Sequence, residues 1–306
     1  MGDVAVIGSL NYDTSVRTTR IPAVGETVLG SSIAYHSGGK GANQAYACAK
    51  AGAKTCMLGA VGDDTCAEIL ENSLKSANVC TENLLKFQNV SSGNAIVTVD
   101  DAGNNAIIAI PGANYQILPQ HIYEFRETLR AVSVALLQLE IPIETIYAAI
   151  ETAKQEDCLV VLNPAPVQSI QNEFLAMVDY VIPNETELHQ LVAGNASAED
   201  KALKLIADGV KSVIVTLGEK GVLYVDAHKN VRKFAAKRVN AVDTVGAGDC
   251  FCGYFTAALA KGEKVETAIE EAIAAAAISV TRTGAQESIP TRAEVMQLIG
   301  EENGNV

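Results

Sequence analysis

Seven residues in the last quarter of the chain carry the strongest chemical signal: Asp243-Thr244-Val245-Gly246-Ala247-Gly248-Asp249. Two glycines flank an alanine and a carboxylate follows at once. An apolar helix-like run from Cys250 to Lys261 comes next. Such a loop brings unpaired backbone N–H groups and the positive end of a helix dipole to one point, which binds anions. A carboxylate beside an anion is costly unless the chemistry needs it, for example to take a proton from an attacking hydroxyl. The alternative is a glycine-rich turn in which Asp249 only caps the helix.

A second glycine cluster, Gly38-Gly39-Lys40-Gly41-Ala42-Asn43-Gln44, opens the first long helix. Its glycines permit close backbone approach to a ligand, and Lys40 and Asn43 can reach hydroxyls or phosphate. It is no Walker A loop, because Ala42 and Asn43 follow Gly41 in place of Lys and Ser or Thr. A dinucleotide fingerprint is also excluded, since Phe251 falls where its third glycine would stand. Asn11 and Asp13 follow the first strand at its C-terminal end, the edge where open α/β sheets bind ligands. If the strand continues, both side chains lie on one side and can hydrogen-bond vicinal hydroxyls; the alternative is an Asx turn.

Asn184-Glu185-Thr186-Glu187 follows a short strand and Pro183. Asn184 and Glu187 share a helix face. They can serve Mg²⁺, which takes few protein ligands, or form a capping box. Thr216-Leu217-Gly218-Glu219-Lys220-Gly221 joins two strands, either as a nucleotide-contacting loop or as a glycine-bearing hairpin.

These residues sit on alternating elements. Val4–Ile7, Thr55–Ala60, Val132–Leu139, Leu159–Leu162, Tyr180–Ile182 and Ser212–Thr216 read as buried strands, and helical runs separate them. Val222–Val225 and Val231–Phe234 read as a strand pair. Helices over 247–261, 265–281 and 292–299 close the chain, and 301–306 are expected to fray. The pattern predicts an α/β three-layer sandwich with a mostly parallel central sheet. Two stretches, about 14–36 and 92–110, carry β-type alternation without helices, and Gly103-Asn104-Asn105 signals a hairpin. We expect them to meet as a small β-sheet lid over a single domain spanning 1–306.

Composition limits the partners. The 306 residues carry a net charge of −13, which disfavours a nucleic-acid surface. No apolar run is long enough to span a membrane, and no basic secretory segment precedes the first strand. The seven cysteines form no C-x-x-C pair and read as reduced thiols of a cytoplasmic protein. The four histidines do not cluster in sequence, and none is assigned a role.

Taken together and in order, these motifs resemble the ribokinase branch of the PfkB carbohydrate kinase family. Asn163-Pro164-Ala165-Pro166 and Thr281-Arg282-Thr283-Gly284-Ala285-Gln286 extend the match over nearly the whole chain. The resemblance implies a ribokinase-like fold and ATP-dependent phosphorylation of a sugar hydroxyl, with the 5-hydroxyl of D-ribose as the best fit. Asp249 would be the base, and Gly246, Ala247 and Gly248 the anion hole. Asn11, Asp13, Gly39, Lys40, Gly41, Asn43 and Glu140 would hold the sugar. Asn184, the loop Thr216–Gly221, Gly248 and Ile273 would face the nucleotide, and Glu187 would organise Mg²⁺. Asp243, Val245, Ser279, Arg282, Gly284 and Ser288 match a monovalent-cation site for K⁺, several of them through backbone carbonyls. A homodimer through the lid is also implied. Three departures stand out: Tyr12 between the two sugar residues, where its ring would crowd or line the sugar site; Ile273 in place of a frequent His; and Glu287 in place of a frequent Pro. Alternatives within the family are a deoxyribose, nucleoside or keto-sugar kinase. A non-catalytic sugar-binding protein on the same fold is another.

Overall fold

Strand β1 (Asp3–Ile7) shows why the centre of the molecule has two cores. Val4 and Val6 point into one apolar cluster, and Ala5 and Ile7 into the other. A strand apolar on both faces needs helices on both. The computed structural model of the chain describes residues 3–303.

The other strands are β2 (Asn11–Thr18), β3 (Gly30–Gly38), β4 (Lys54–Val61), β5 (Leu84–Lys86), β6 (Gly93–Val99), β7 (Asn105–Ile110), β8 (Val134–Leu137), β9 (Leu159–Leu162), β10 (Tyr180–Val181), β11 (Val213–Thr216), β12 (Val222–Val225) and β13 (Val231–Phe234). The large sheet runs β13-β12-β11-β10-β9-β8-β1-β4-β5. It is parallel except where β12 pairs antiparallel with β11 and β13 at one edge. The longer helices are α1 (Lys40–Lys50), α2 (Thr65–Ser76), α3 (Ile143–Gln155), α4 (Glu185–Leu191), α5 (Ala198–Ala207), α6 (Ala247–Ala260), α7 (Val265–Ser279) and α8 (Arg292–Asn303). α1, α6 and α7 pack on the Val4/Val6 face, and α3 and α5 on the other. The three-layer α/β arrangement read from the sequence is the one observed.

The small sheet runs β3-β2-β6-β7. It draws on both β-rich stretches, which meet because β2 pairs in parallel with β6, while β2–β3 and β6–β7 are antiparallel. The β6–β7 turn places Gly103 at φ 83°, and the Asp100 carboxylate accepts the N–H groups of Ala102 (3.0 Å) and Asn104 (2.8 Å).

Several expected boundaries move by one to four residues. β8 stops at Leu137, two residues before the expected end, and the Gln138 side chain bonds to another amide. α8 continues to Asn303, so 301–303 are helical where fraying was expected; 304–306 lie outside the described residues. The seven cysteines are free thiols. Among the described residues, no helix is long and apolar enough to cross a membrane.

Candidate active site

Gly246 starts α6 in the left-handed region, at φ 74°. A side chain there would be strained, and its Cβ would lie 3.0 Å from the Ala285 backbone. The first intrahelical bond of α6 runs from Cys250 N–H to the Gly246 carbonyl (2.8 Å), so the N–H groups of Gly248 and Asp249 precede the ladder. A Cβ on Gly248 would meet nothing within 4 Å. Packing therefore does not demand glycine there, whereas close approach of a ligand would.

Asp249 is only 7% exposed at this helix start. Its Oδ2 accepts Asn43 Nδ2 (3.0 Å) and its Oδ1 accepts Gln44 Nε2 (2.9 Å). Both amides come from α1, whose start is shaped by Gly39 at φ 86°. Gly41 belongs here for a steric reason: a Cβ on it would sit 2.5 Å from Ser9 N. Lys40 faces Asp249, Glu140 and Glu187. Chiefly the Asp249 charge, opposed by burial, holds its ammonium above the ordinary lysine range. Glu140 accepts the Ser9 hydroxyl and the Lys40 backbone N–H (3.1 Å).

β2 brings Asn11 and Asp13 to the same cluster as a true strand, so the Asx-turn alternative fails. Gly38 stands opposite in β3, where a Cβ would lie 2.2 Å from Asp13 Oδ2. Burial first, then Glu140 and Asp249, push the Asp13 carboxyl up to about 7. Its Oδ1 is buried without a hydrogen-bond partner. Tyr12, expected to crowd or line the sugar site, does neither. Alternation puts it on the opposite face of β2, stacked on Tyr35 with ring centroids 5.7 Å apart.

A cavity of about 170 Å³ extends from Lys40, Gly248 and Asp249 to Asn184, Glu187 and Thr216. Asn184 caps α4: its Oδ1 accepts Glu187 N–H (2.8 Å) and Glu187 Oε2 accepts Asn184 N–H (2.8 Å). The capping box is thus real, and it leaves the cavity-lining role open because only one Glu187 oxygen is committed. Burial is the main cause that raises the Glu187 carboxyl above its usual range. Thr216 N–H reaches the Pro183 carbonyl (3.0 Å), which seats the 216–221 loop beside Asn184. Gly218–Lys220 forms a 3₁₀ turn after Leu217, and Lys220 pairs with Glu185 (3.3 Å) on α4. Ile273 packs inside the core beneath α7 and is not among the cavity-lining residues.

Asp243 ties the glycine loop to the 282–288 loop. Its Oδ1 accepts Val245 N–H and its Oδ2 Gly284 N–H, each at 3.0 Å. Ser279 and Ser288 share a hydroxyl bond of 2.9 Å, and Arg282 pairs with Glu294. Glu287 folds over Gly284 and approaches His36 of β3 (3.7 Å). Among the described residues, no group of three or more His, Cys, Asp or Glu side chains could by itself hold a metal ion.

Sequence reasoning assigned no role to several residues that build the site. Asn114 holds Asn11 through a 2.9 Å bond to its Oδ1 and also exchanges two bonds with the Leu10 backbone. Gln44, Gln138, Asn163 and Gln286 form buried amide chains around Asp249. Gln138 carried a usable signal, a polar residue near the end of an apolar strand. Asn114 carried none, because its partner lies 103 residues away.

A mostly parallel α/β sheet and a small second sheet thus frame a buried aspartate at an amide-rich helix start. The chain belongs to the pfkB family of carbohydrate kinases, whose profile matches residues 1–292. It is 40% identical over 294 residues to a deoxyribokinase of Salmonella typhimurium, covering 94% of this chain and 96% of that one. A ribokinase of Bacillus subtilis is 37% identical over 299 residues, covering 98% and 100%. Among solved structures, Arabidopsis thaliana ribokinase complexed with ribose and ATP aligns with a TM-score of 0.92 at 31% identity, over 98% of this chain and 99% of that one. Ribokinase from Thermotoga maritima aligns with a TM-score of 0.89 at 36% identity, over 98% and 100%.

Proposed function

We propose that this carbohydrate kinase transfers the γ-phosphoryl group of ATP to the 5-hydroxyl of D-ribose, giving ribose 5-phosphate and ADP. The observation that carries the reading is Asp249 at the start of α6, with both oxygens fixed by α1 and with Asn11 and Asp13 close by. Asp249 takes the hydroxyl proton as that oxygen attacks the γ-phosphorus, and the bond to the ADP oxygen breaks. Of the Gly246–Gly248 amides, that of Ala247 donates to the Thr244 carbonyl (3.3 Å), so the Gly248 amide and Lys40 face the charge spread over the transferring group. Asn11, Asp13, Asn43 and Glu140 hold the sugar. Asn184 and the Thr216–Gly221 loop face the nucleotide.

Four carboxylates, those of Asp13, Glu140, Glu187 and Asp249, crowd the site and would repel a polyphosphate. Mg²⁺ offsets such charge, and Glu187 fits a share of its shell through water because Glu187 lines the cavity with one oxygen outside the capping box. Asp243 and the 279–288 segment fit K⁺, since they abut the anion loop at Gly246 and Ala285. The protein acts in the cytoplasm as a homodimer joined through the small sheet, which closes over the sugar.

A second reading, 2-deoxyribose as acceptor, has one observation in its favour: the 40% identity to deoxyribokinase. A site that hydrogen-bonds a hydroxyl rejects the analogue lacking it. A lost bond to a charged group costs about 1.5–3 kcal/mol. We therefore expect kcat/KM for ribose to exceed that for 2-deoxyribose by roughly ten- to a hundred-fold. ADP release with ribose, 2-deoxyribose, fructose and a nucleoside tests this. A better rate with 2-deoxyribose overturns ribose as substrate and leaves the sugar-kinase family membership standing.

A further inference from the structure

Gln44 is fully buried, yet every polar atom of its side chain is spoken for. Its Nε2 donates to Asp249 Oδ1 (2.9 Å) and to Asn163 Oδ1 (3.1 Å), and its Oε1 accepts Gln138 Nε2 (2.7 Å). A carboxylate only accepts, so Asp249 dictates which end of the amide faces it. Asn163 spends its own N–H on the Ile182 carbonyl (2.9 Å) and offers Gln44 only oxygen. Gln138 supplies the donor that the far end requires. The amide therefore has a single satisfied orientation.

We propose that Gln44, locked by Gln138 and Asn163, is a positioning residue that holds the Asp249 carboxylate in the rotamer suited to proton transfer. The inference rests on Asp249 being the base. Asp249 Oδ2 is held in the same manner: Asn43 donates to it, while Asn43 Oδ1 accepts Gln286 Nε2 (3.1 Å) and Gln286 Oε1 accepts the Ser73 hydroxyl (2.6 Å). Each carboxylate oxygen thus has an amide donor, and each donor is oriented by a second amide. One oxygen of this array is left orphaned. Gln138 Oε1 is buried with no partner, and it fits only because residue 8 is glycine, where a Cβ would come within 2.0 Å of it. Packing alone would favour apolar side chains in such a place.

Gln44→Met removes the donor with little change in volume. The expected result is a kcat about ten- to a hundred-fold lower, since misplacement of a reacting group is that costly, with KM for ATP and sugar held within a few-fold. Gln44→Glu reads the donor directly. A protonated Glu donates and an ionised one repels Asp249, so its kcat relative to wild type should rise as pH falls from 8 to 6. The other groups facing Asp249 are Asp13 on β2, Lys40 on α1, Glu187 on α4, and Cys250 and Cys252 on α6. Glu140 faces Asp13 and Lys40. They are common to both proteins, so the ratio isolates position 44. Should a Gln44 variant fail to fold, Gln138→Leu frees Gln44 from the side away from Asp249 and should lower kcat in the same sense, more weakly. Wild-type kcat in folded Gln44→Met or Gln138→Leu, or a pH-independent ratio for Gln44→Glu, overturns the inference. Asp249→Asn is the separate control. If it retains turnover, the base assignment itself fails; if it alone loses turnover, only the role of Gln44 does.

Discussion

Asp13 is a carboxylate whose charge the fold accommodates poorly. Its carboxyl is pushed up to about 7 by burial, with Glu140 and Asp249 adding to the effect. The folded chain therefore holds a proton at this position that the unfolded chain releases near the ordinary aspartate value of 3.8. Stability from this group is full below about pH 4 and is lost as pH rises through about 7. The melting temperature of wild type relative to Asp13→Asn should thus fall between pH 5 and pH 8. A difference that stays flat over that range would show that Asp13 is not buried as a neutral acid. In the proposed sugar site, Asp13 Oδ1 would gain from a substrate hydroxyl the hydrogen bond that it lacks.

At the scale of elements, the small sheet has two unlike faces. Asn11 and Asp13 lie on one. Tyr12, Ile33, Tyr35, Ile96, Ile108 and Ile110 lie on the other by the pairing register. Ile108 is 63% exposed and Tyr35 55%. So large an apolar row on a solvent-facing sheet is the mark of an interface. In the proposed homodimer this row is covered, and Ile108→Lys should convert a species sedimenting at twice the chain mass into monomer. Unchanged sedimentation would move the interface elsewhere. The helices carry the complementary role. α1 and α6 meet at close range because Gly253 leaves room for Ala47, where a Cβ would sit 2.4 Å away, and this approach brings Asn43 and Gln44 within reach of Asp249.

Across the whole molecule, the 243–245 and 282–288 segments meet around Asp243, and Ala285 packs against the anion loop at Gly246. An ion held there would stiffen the loop that, in the proposed reaction, faces the phosphoryl group. K⁺ should therefore raise kcat well above the value in Na⁺ at constant ionic strength, and equal rates in the two salts would remove the cation from the mechanism. Gln286 in the same loop reaches Asn43, so any such effect has a short path to Asp249.

The sequence by itself was enough to place Asp249 at a helix start, because glycines around a small-residue turn leave few other backbone solutions. The two-core sheet was legible too, since strands apolar on both faces need cover on both. Alternation put Asn11 and Asp13 together. Local rules stop where contact crosses long chain separations. Asn43 and Gln44 meet Asp249 across more than 200 residues. Nothing near position 114 announces that Asn114 orients Asn11. The side taken by Tyr12 was misjudged from its sequence neighbours and settled by strand pleat. The amide array shows the limit most plainly: which end of Gln44 faces Asp249 depends on donors and acceptors from four separate segments. Only the folded chain brings these into one low-dielectric space, where each must be matched or leave an atom orphaned.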